Sequence, residues 1–472
     1  MPFSSITFIF LFSPVSLVLF YILPYRNWRN AILVLTSLVF FGWSDPTHIH
    51  ILFFSILINY FWGIFIGKAQ DKQTLKSART HMWIGVGLNL LLLGLYKYTG
   101  FFLESIQALF PISINYQRQA LPLGISFFTF SGISYILDIY NNIEKPEKNL
   151  IRFSSYLIMF PKLLQGPITR FTQLKNDLFK PQFIPLGIIE GVRRFIGGLA
   201  KKVLLADSLS MATDKVFGAN FSELGAGVAW FGLIAYTLQI YLDFSGYTDM
   251  AIGLGQILGF KLPENFNFPY ISRSISDFWR RWHMSLTNWF RTYLFIPLEF
   301  SRKKEKFLRQ QSNLLIVFLL TGLWHGASWN FVFWGVYFGL ILVIEASGFG
   351  KWLKKMPRIF QHSYALILIM LGWIFFRVTN IQDWGVFISS LLGANGWSNA
   401  VTFRSLNILF YIPFIFPAIL FSLPFMYQVG ERIKSKGGVS LLLMDICYLG
   451  LFLFTLTYIL SKGFTAFMYA QF

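Results

Sequence analysis

Apolar runs long enough, or nearly long enough, to cross about 30 Å of hydrocarbon recur from one end of the chain to the other. They fall near residues 4–24, 31–44, 49–67, 82–96, 121–140, 224–242, 246–260, 311–324, 328–346, 361–378, 405–424 and 439–461. Several are shorter than the ~20 residues of a straight span, so they are broken, tilted or lengthened by less apolar flanks. The pattern predicts an all-α polytopic membrane protein of about 11–12 transmembrane helices with additional re-entrant or interfacial ones. Composition agrees: 55% of the 472 residues are hydrophobic and 13% are charged, against about 25% charged in a soluble domain. A soluble protein of this size has no place to hide so much apolar surface, which excludes a disordered chain and an ordinary soluble enzyme. Ile6–Leu23 lacks a charged n-region and is followed by many more apolar runs, so it reads as the first membrane helix rather than a signal peptide.

The remaining charge is lopsided, with 40 Lys and Arg against 21 Asp and Glu. Nucleic-acid binding is one reading of such an excess, but most of these cations sit in short loops between apolar runs. Basic turns (Arg26 and Arg29, then Lys68–Arg79, then Lys145, Lys148 and Arg152) alternate with Ser44–His48, which has no Lys or Arg, and with the sparse stretch 97–120. By the positive-inside rule the N-terminus lies outside and the basic loops face the cytoplasm. In 161–202, Arg193, Arg194, Lys201 and Lys202 punctuate an apolar pattern that predicts an amphipathic helix on the inner surface. The single cysteine, Cys447, lies within an apolar run; it rules out an intrachain disulfide and a cysteine-rich metal site, and reads as a buried small hydrophobe. No repeat or low-complexity linker interrupts the chain, so 1–472 reads as one integrated membrane domain.

Residues that carry chemistry are concentrated between 241 and 337. Asp243-Phe-Ser-Gly-Tyr-Thr-Asp249 puts two acids among apolar neighbours, where an acid normally has a partner or a task. Pro263-Glu-Asn-Phe-Asn-Phe-Pro-Tyr270 cannot continue a helix, and irregular backbone at membrane depth is tolerated against protein or at a cavity wall. In Phe278-Trp-Arg-Arg-Trp-His283, helical spacing would put Trp279, Trp282 and His283 on one face and turn Arg280 and Arg281 elsewhere. Two readings stand: an interfacial aromatic belt with snorkelling arginines, or a seat for an anionic donor, because the arginine fork bonds two phosphate oxygens at once.

His325, in Thr321-Gly-Leu-Trp-His-Gly-Ala-Ser-Trp329, follows an apolar run of about fourteen residues that rises about 21 Å as a helix. That depth makes it an intramembrane histidine and a functional candidate; burial favours its neutral form, which suits a general base. The bland alternative is a structural histidine donating to a backbone carbonyl. His283 and His325 share no metal-ligand spacing, no Gly-x-Ser-x-Gly elbow is present, and no glycine-rich phosphate loop follows a strand. Trp279, Trp282, Trp324 and Trp329 are expected to bracket the site.

These motifs, together with Phe160-Pro-Lys-Leu-Leu-Gln-Gly-Pro-Ile168, resemble the membrane-bound O-acyltransferases, and within them the alginate O-acetyltransferase group. The resemblance is densest from Tyr241 to Tyr337 and weaker towards both ends. It implies a ring of tilted helices around a central tunnel in a bacterial inner membrane, with an acyl donor reaching it from the cytoplasm and an acceptor from outside. It implies catalytic roles for His325 and His283, and donor-binding or supporting roles for Asp243, Arg280, Arg281, Trp282 and Trp324. The implied reaction uses acetyl-CoA as donor substrate, with no tightly bound cofactor and no metal. The acetyl group passes to a cell-surface polysaccharide or to a serine of an extracytoplasmic relay protein. Basic surfaces at Arg280, Arg281 and the 302–309 loop would meet the donor. Two rivals remain: transfer of a D-alanyl group from an acidic carrier protein to teichoic acid, and a transporter using Asp243, Asp249 and His325 as a proton path.

Overall fold

The structure, a computed structural model, describes residues 1–110, 112–179, 185–301, 306–397 and 406–462. Regular structure among the described residues is helical throughout. Six helices are long and apolar enough to cross a membrane: Pro46–Asp71, Leu75–Leu109, Ala226–Ile257, Trp329–Leu353, Arg358–Arg377 and Gly438–Ser461. The pair Ile412–Ser422 and Pro424–Lys436, bent by 60°, raises the number to seven if it is one span. The bend falls before Pro424, whose ring excludes a continuous hydrogen-bond ladder but suits the first turn of a new helix. Phe8–Tyr21 and Ile125–Tyr140 are apolar but shorter. This is the build of a multi-pass membrane protein.

Fewer described helices are long and apolar enough to span than the 11–12 expected from the apolar runs: the run 31–44 lies in Arg26–Ser44, which is not among them, and two other runs fuse. The runs 224–242 and 246–260 belong to a single helix of 32 residues, Ala226–Ile257. Both acids of this helix have cationic partners. Asp243 meets Lys202 at 2.7 Å, and Asp249 meets Arg194 at 3.0 Å. The run 311–324 lies in the helix Lys306–His325, which is not among the six. Cys447 is exposed rather than buried. It sits on the outward-facing helix Gly438–Ser461, only 6% of whose apolar window is covered.

The chain divides into two compact units, Met1–Phe195 with Thr248–Glu264, and Ile196–Tyr247 with Asn265–Phe472. In the first, Asn59 and Asn89 exchange side-chain hydrogen bonds of 3.1 and 2.9 Å between two long helices. The expected amphipathic helix is present as Pro185–Ala200, but its cations do not form an open basic face. Arg193 is buried. Arg194 donates to Asp249 at 3.0 and 3.1 Å and forks onto Glu264 at 2.5 and 2.6 Å. Pairing with both acids offsets the cost of removing the guanidinium from water.

In the second unit, Lys306–His325 and Trp329–Ile344 form a close antiparallel hairpin. Glycines permit the approach: a Cβ at Gly322 would collide with the Phe331 carbonyl oxygen, and one at Gly335 with that of Phe318. Across from the hairpin, Asn265–Phe290 folds as turns and short helices, including Ile275–Trp279 and Met284–Phe290. Glu345 anchors this segment. Its buried carboxylate accepts from the Ile275 and Ser276 amides at 2.7 and 2.9 Å, from Ser276 Oγ at 2.6 Å and from the Tyr364 hydroxyl at 3.2 Å. Removing it leaves two helix-start amides without their acceptor, at about 1–3 kcal/mol each. Glu345→Ala is therefore expected to lower the Tm in a fixed detergent or nanodisc, with Glu345→Gln falling between it and wild type; a Tm equal to wild type in both would show that the anchor is dispensable.

Candidate active site

His325 ends the helix Lys306–His325 and is 2% exposed. Its ring is held by aromatics, with centroids at 5.0 Å to Trp324, 5.0 Å to Trp334 and 5.2 Å to Phe376. His283 is fully buried and lies 6.4 Å from His325, ring to ring. Trp324 touches both rings, standing 5.7 Å from His283; Phe244 meets His283 edge-on at 4.9 Å. Two motifs far apart in sequence thus converge on one dry, aromatic-walled place.

The expected continuous helix through 278–283 does not form. The helix stops at Trp279, and His283 adopts a left-handed conformation at φ 44° and ψ 52° before the next helix begins. The resulting division is nevertheless the one helical spacing suggested: Trp279, Trp282 and His283 are buried, while Arg280 is largely exposed. A left-handed backbone costs a non-glycine residue of order 1 kcal/mol or more and persists where its surroundings over-determine it.

Asn265 supplies that determination. Its Oδ1 accepts from Ser285 Oγ at 2.9 Å and from the Ser285 amide at 3.3 Å, and lies 3.0 Å from His283 Nδ1. Its carbonyl accepts from the Met284 amide at 2.9 Å. The Ser285 amide is an obligate donor, which identifies the Asn265 atom as oxygen; an oxygen only accepts, so His283 Nδ1 carries the proton. Nε2 then presents a bare lone pair, and it has no hydrogen-bond partner among the described residues. Burial pushes the imidazole pKa down to about 3, so the ring is neutral at physiological pH. The sequence reading took Asn265 only for a helix-breaking residue; its position two residues after Pro263 gave no sign of the histidine it holds.

The other sequence candidates separate. Asp243 is buried, and Lys202 Nζ lies 2.7 Å from both its Oδ1 and that of Asp207; it serves a buried charge cluster that the sequence did not reveal. Arg281 is tied to Asp277 at 3.2 Å and to the Asn267 carbonyl at 3.2 Å. Arg280 lies 3.5 Å from Asp277, with its side chain 71% exposed. Trp282, the residue before His283, is fully buried in the aromatic core, against Trp373 at 4.9 Å and Phe266 at 5.1 Å. Trp329 does not bracket the site. It is 49% exposed and leans on Phe333 with the rings tilted, because it opens the return helix of the hairpin. Of the 302–309 loop, residues 302–305 lie outside the described residues, and Arg309 pairs with Glu299 at 3.2 Å. Among the described residues no cluster of three or more His, Cys, Asp or Glu could hold a metal ion.

The fold is that of a helical multi-pass membrane protein, and comparison with known proteins places it. Residues 141–382 match the membrane-bound O-acyltransferase family. A protein described as a probable alginate O-acetylase, AlgI, of Azotobacter vinelandii is 40% identical over 81% of this chain and 76% of its own length. The peptidoglycan O-acetyltransferase of Helicobacter pylori is 34% identical over 84% of this chain and 80% of its own. The teichoic acid D-alanyltransferase of Bacillus subtilis is 32% identical over 52% and 64%. The chain belongs to the membrane-bound O-acyltransferase family and is an O-acyltransferase.

The hydrogen-bond pattern makes a pH prediction. In wild type the Asn265 amide leaves His283 neutral across the working range. Asn265→Asp would face Nδ1–H with a carboxylate, which favours the imidazolium and raises its pKa. The acid limb of the kcat profile should therefore move to higher pH in Asn265→Asp; an acid limb that stays in place would separate His283 from turnover.

Proposed function

We propose that this protein moves acetyl groups from cytoplasmic acetyl-CoA to a hydroxyl acceptor on the outer side of the membrane, leading to O-acetylation of a cell-surface polysaccharide. The observation that carries the reading is the buried pair His283 and His325 with Trp324 against both rings. The likeness to an alginate O-acetylase and to a peptidoglycan O-acetyltransferase supports the choice of a surface glycan and an acetyl donor.

In this reading His325 takes the proton of the acceptor hydroxyl as its oxygen attacks the thioester carbonyl. The carbon–sulfur bond breaks, the coenzyme A thiolate leaves with the proton from His325, and an oxygen ester remains. His283 has a narrower task than the sequence suggested. With Nδ1–H committed to Asn265, its neutral ring has no donor left to polarise a carbonyl. Nε2 accepts a hydrogen bond from an N–H or O–H of the substrate beside the reacting centre, and so orients it. The aromatic walls exclude water, which would otherwise hydrolyse the thioester. Arg280, the more exposed of the two motif arginines, meets the donor's phosphates, and Asp243 supports the site through Lys202. The helices surround a tunnel across the membrane, the N-terminus lies outside, and the acceptor is the glycan itself or a relay protein.

His325→Ala, expressed at wild-type level, should reduce acetyl esters on the surface polymer by at least about 100-fold, the scale of a lost general base; unchanged O-acetylation would remove His325 from the chemistry. The likeness to a teichoic acid D-alanyltransferase sets the competing donor. Purified protein is expected to consume acetyl-CoA and to ignore a D-alanyl carrier protein, and the opposite preference would replace the acetyl reading with an aminoacyl one.

A further inference from the structure

One buried cation takes no part in the site above. Lys162 lies in the first unit, in the helical turn Phe160–Leu163, and is 4% exposed. The turn is built rigidly. The Phe160 amide donates to Ser37 Oγ at 2.9 Å, and Gly124, at φ +70°, leaves no room for a Cβ beside the Leu163 carbonyl oxygen. The Lys162 Nζ sits 4.6 Å from the centroid of the Tyr156 ring. That ring is held in place because its hydroxyl meets the carbonyls of Ser131 and Thr169 at 3.0 and 3.2 Å.

What Lys162 lacks is a counter-ion. By contrast, the buried ammonium of Lys202 is matched by Asp207 and Asp243. Among the described residues no carboxylate lies within ion-pair distance of Lys162, and burial pushes its ammonium down to about 7. Close by in the chain, Gln165 is also buried, and its Oε1 has no hydrogen-bond partner among the described residues. An aromatic face steadies a cation but replaces neither its water nor a counter-charge. If packing were all that this position required, methionine would fill the same space without the cost of a buried amine.

We propose that Lys162, backed by Tyr156 and three residues before Gln165 in the same rigid turn region, is a binding site for an anionic oxygen of a substrate, a phosphate or carboxylate that carries a hydroxyl or amide hydrogen nearby. The ammonium meets the oxygen, and Gln165 Oε1 accepts the neighbouring hydrogen. Two substrate classes offer this chemistry: the nucleotide phosphates of a coenzyme A thioester and the carboxylate of a uronic-acid glycan. The choice of these two rests on the acyl-transfer reading; the anion site itself does not.

The test is titration of the full chain in lipid nanodiscs with coenzyme A and, separately, with a uronic-acid trisaccharide, comparing wild type with Lys162→Met. The expected result is a loss of affinity of about ten-fold for one probe, in a protein whose Tm is equal to or above that of wild type. Loss for coenzyme A assigns the phosphate, and loss for the trisaccharide assigns the carboxylate. A change of less than about three-fold for both probes overturns the proposal. Should Lys162→Met not yield monodisperse protein, Lys162→Gln, which keeps a polar head without the charge, is read by the same criterion. Failure of the acyl-transfer reading would show instead as wild-type protein that forms no ester from acetyl-CoA on a hydroxyl acceptor, whatever the binding data.

Discussion

A single side-chain oxygen organises the candidate site of this protein. Asn265 Oδ1 gathers hydrogens from the Ser285 amide, Ser285 Oγ and His283 Nδ1. Those contacts hold His283 in a left-handed conformation, set which ring nitrogen carries the proton, and leave the other as an acceptor. A histidine at the same place without Asn265 would be free to choose either tautomer, and the buried ring would have one more unsatisfied group. Glu345 performs the comparable task for the start of the preceding helix, by gathering the Ile275 and Ser276 amides. Both devices use an acceptor from a distant or irregular stretch to end one short helix and start another, so that the Trp-Arg-Arg-Trp-His segment turns its rings inward and Arg280 outward.

Buried charge is handled in the opposite way at the two acids of the long helix Ala226–Ile257. Asp243 and Asp249 are matched by Lys202 and Arg194 in compact clusters, and a third carboxylate joins each cluster, Asp207 in one and Glu264 in the other. The buried cluster of Lys202, Asp207 and Asp243 adds little net stability over apolar packing, but removing a single partner from it is costly, about 3–5 kcal/mol; the Arg194 cluster is partly solvated, with the Glu264 side chain 54% exposed. They explain how one helix carries two acids and remains unbroken. Beside the histidines the described walls are aromatic: Trp324, Trp334, Phe376 and Phe244.

The parts legible in the sequence were those written as local patterns. Long apolar runs announced membrane helices, and the apolar run before His325 announced a buried histidine at a helix end, because both signals depend only on neighbouring residues. Partnerships at long range were not legible. Lys202 lies some forty residues from Asp243 and Arg194 more than fifty from Asp249, so the acids read as needing a partner that the sequence did not name, and the cations as a surface face. Asn265 read as a breaker, since nothing nearby in the chain shows that its oxygen will meet residue 283. Trp329 and Cys447 were misplaced for a related reason: an apolar or aromatic residue in a membrane chain is equally at home inside or facing outward, and the sequence pattern does not distinguish them.

The direct measurement is single-turnover transfer from [14C-acetyl]-CoA to a hydroxyl-bearing glycan oligomer by purified protein in nanodiscs, compared among wild type, His325→Ala and His283→Ala. Labelled ester should form with wild type. It should be absent with His325→Ala while coenzyme A still binds, and His283→Ala should slow the step without abolishing it. Ester formation at the wild-type rate in both variants would contradict an acyl-transfer centre built on this histidine pair.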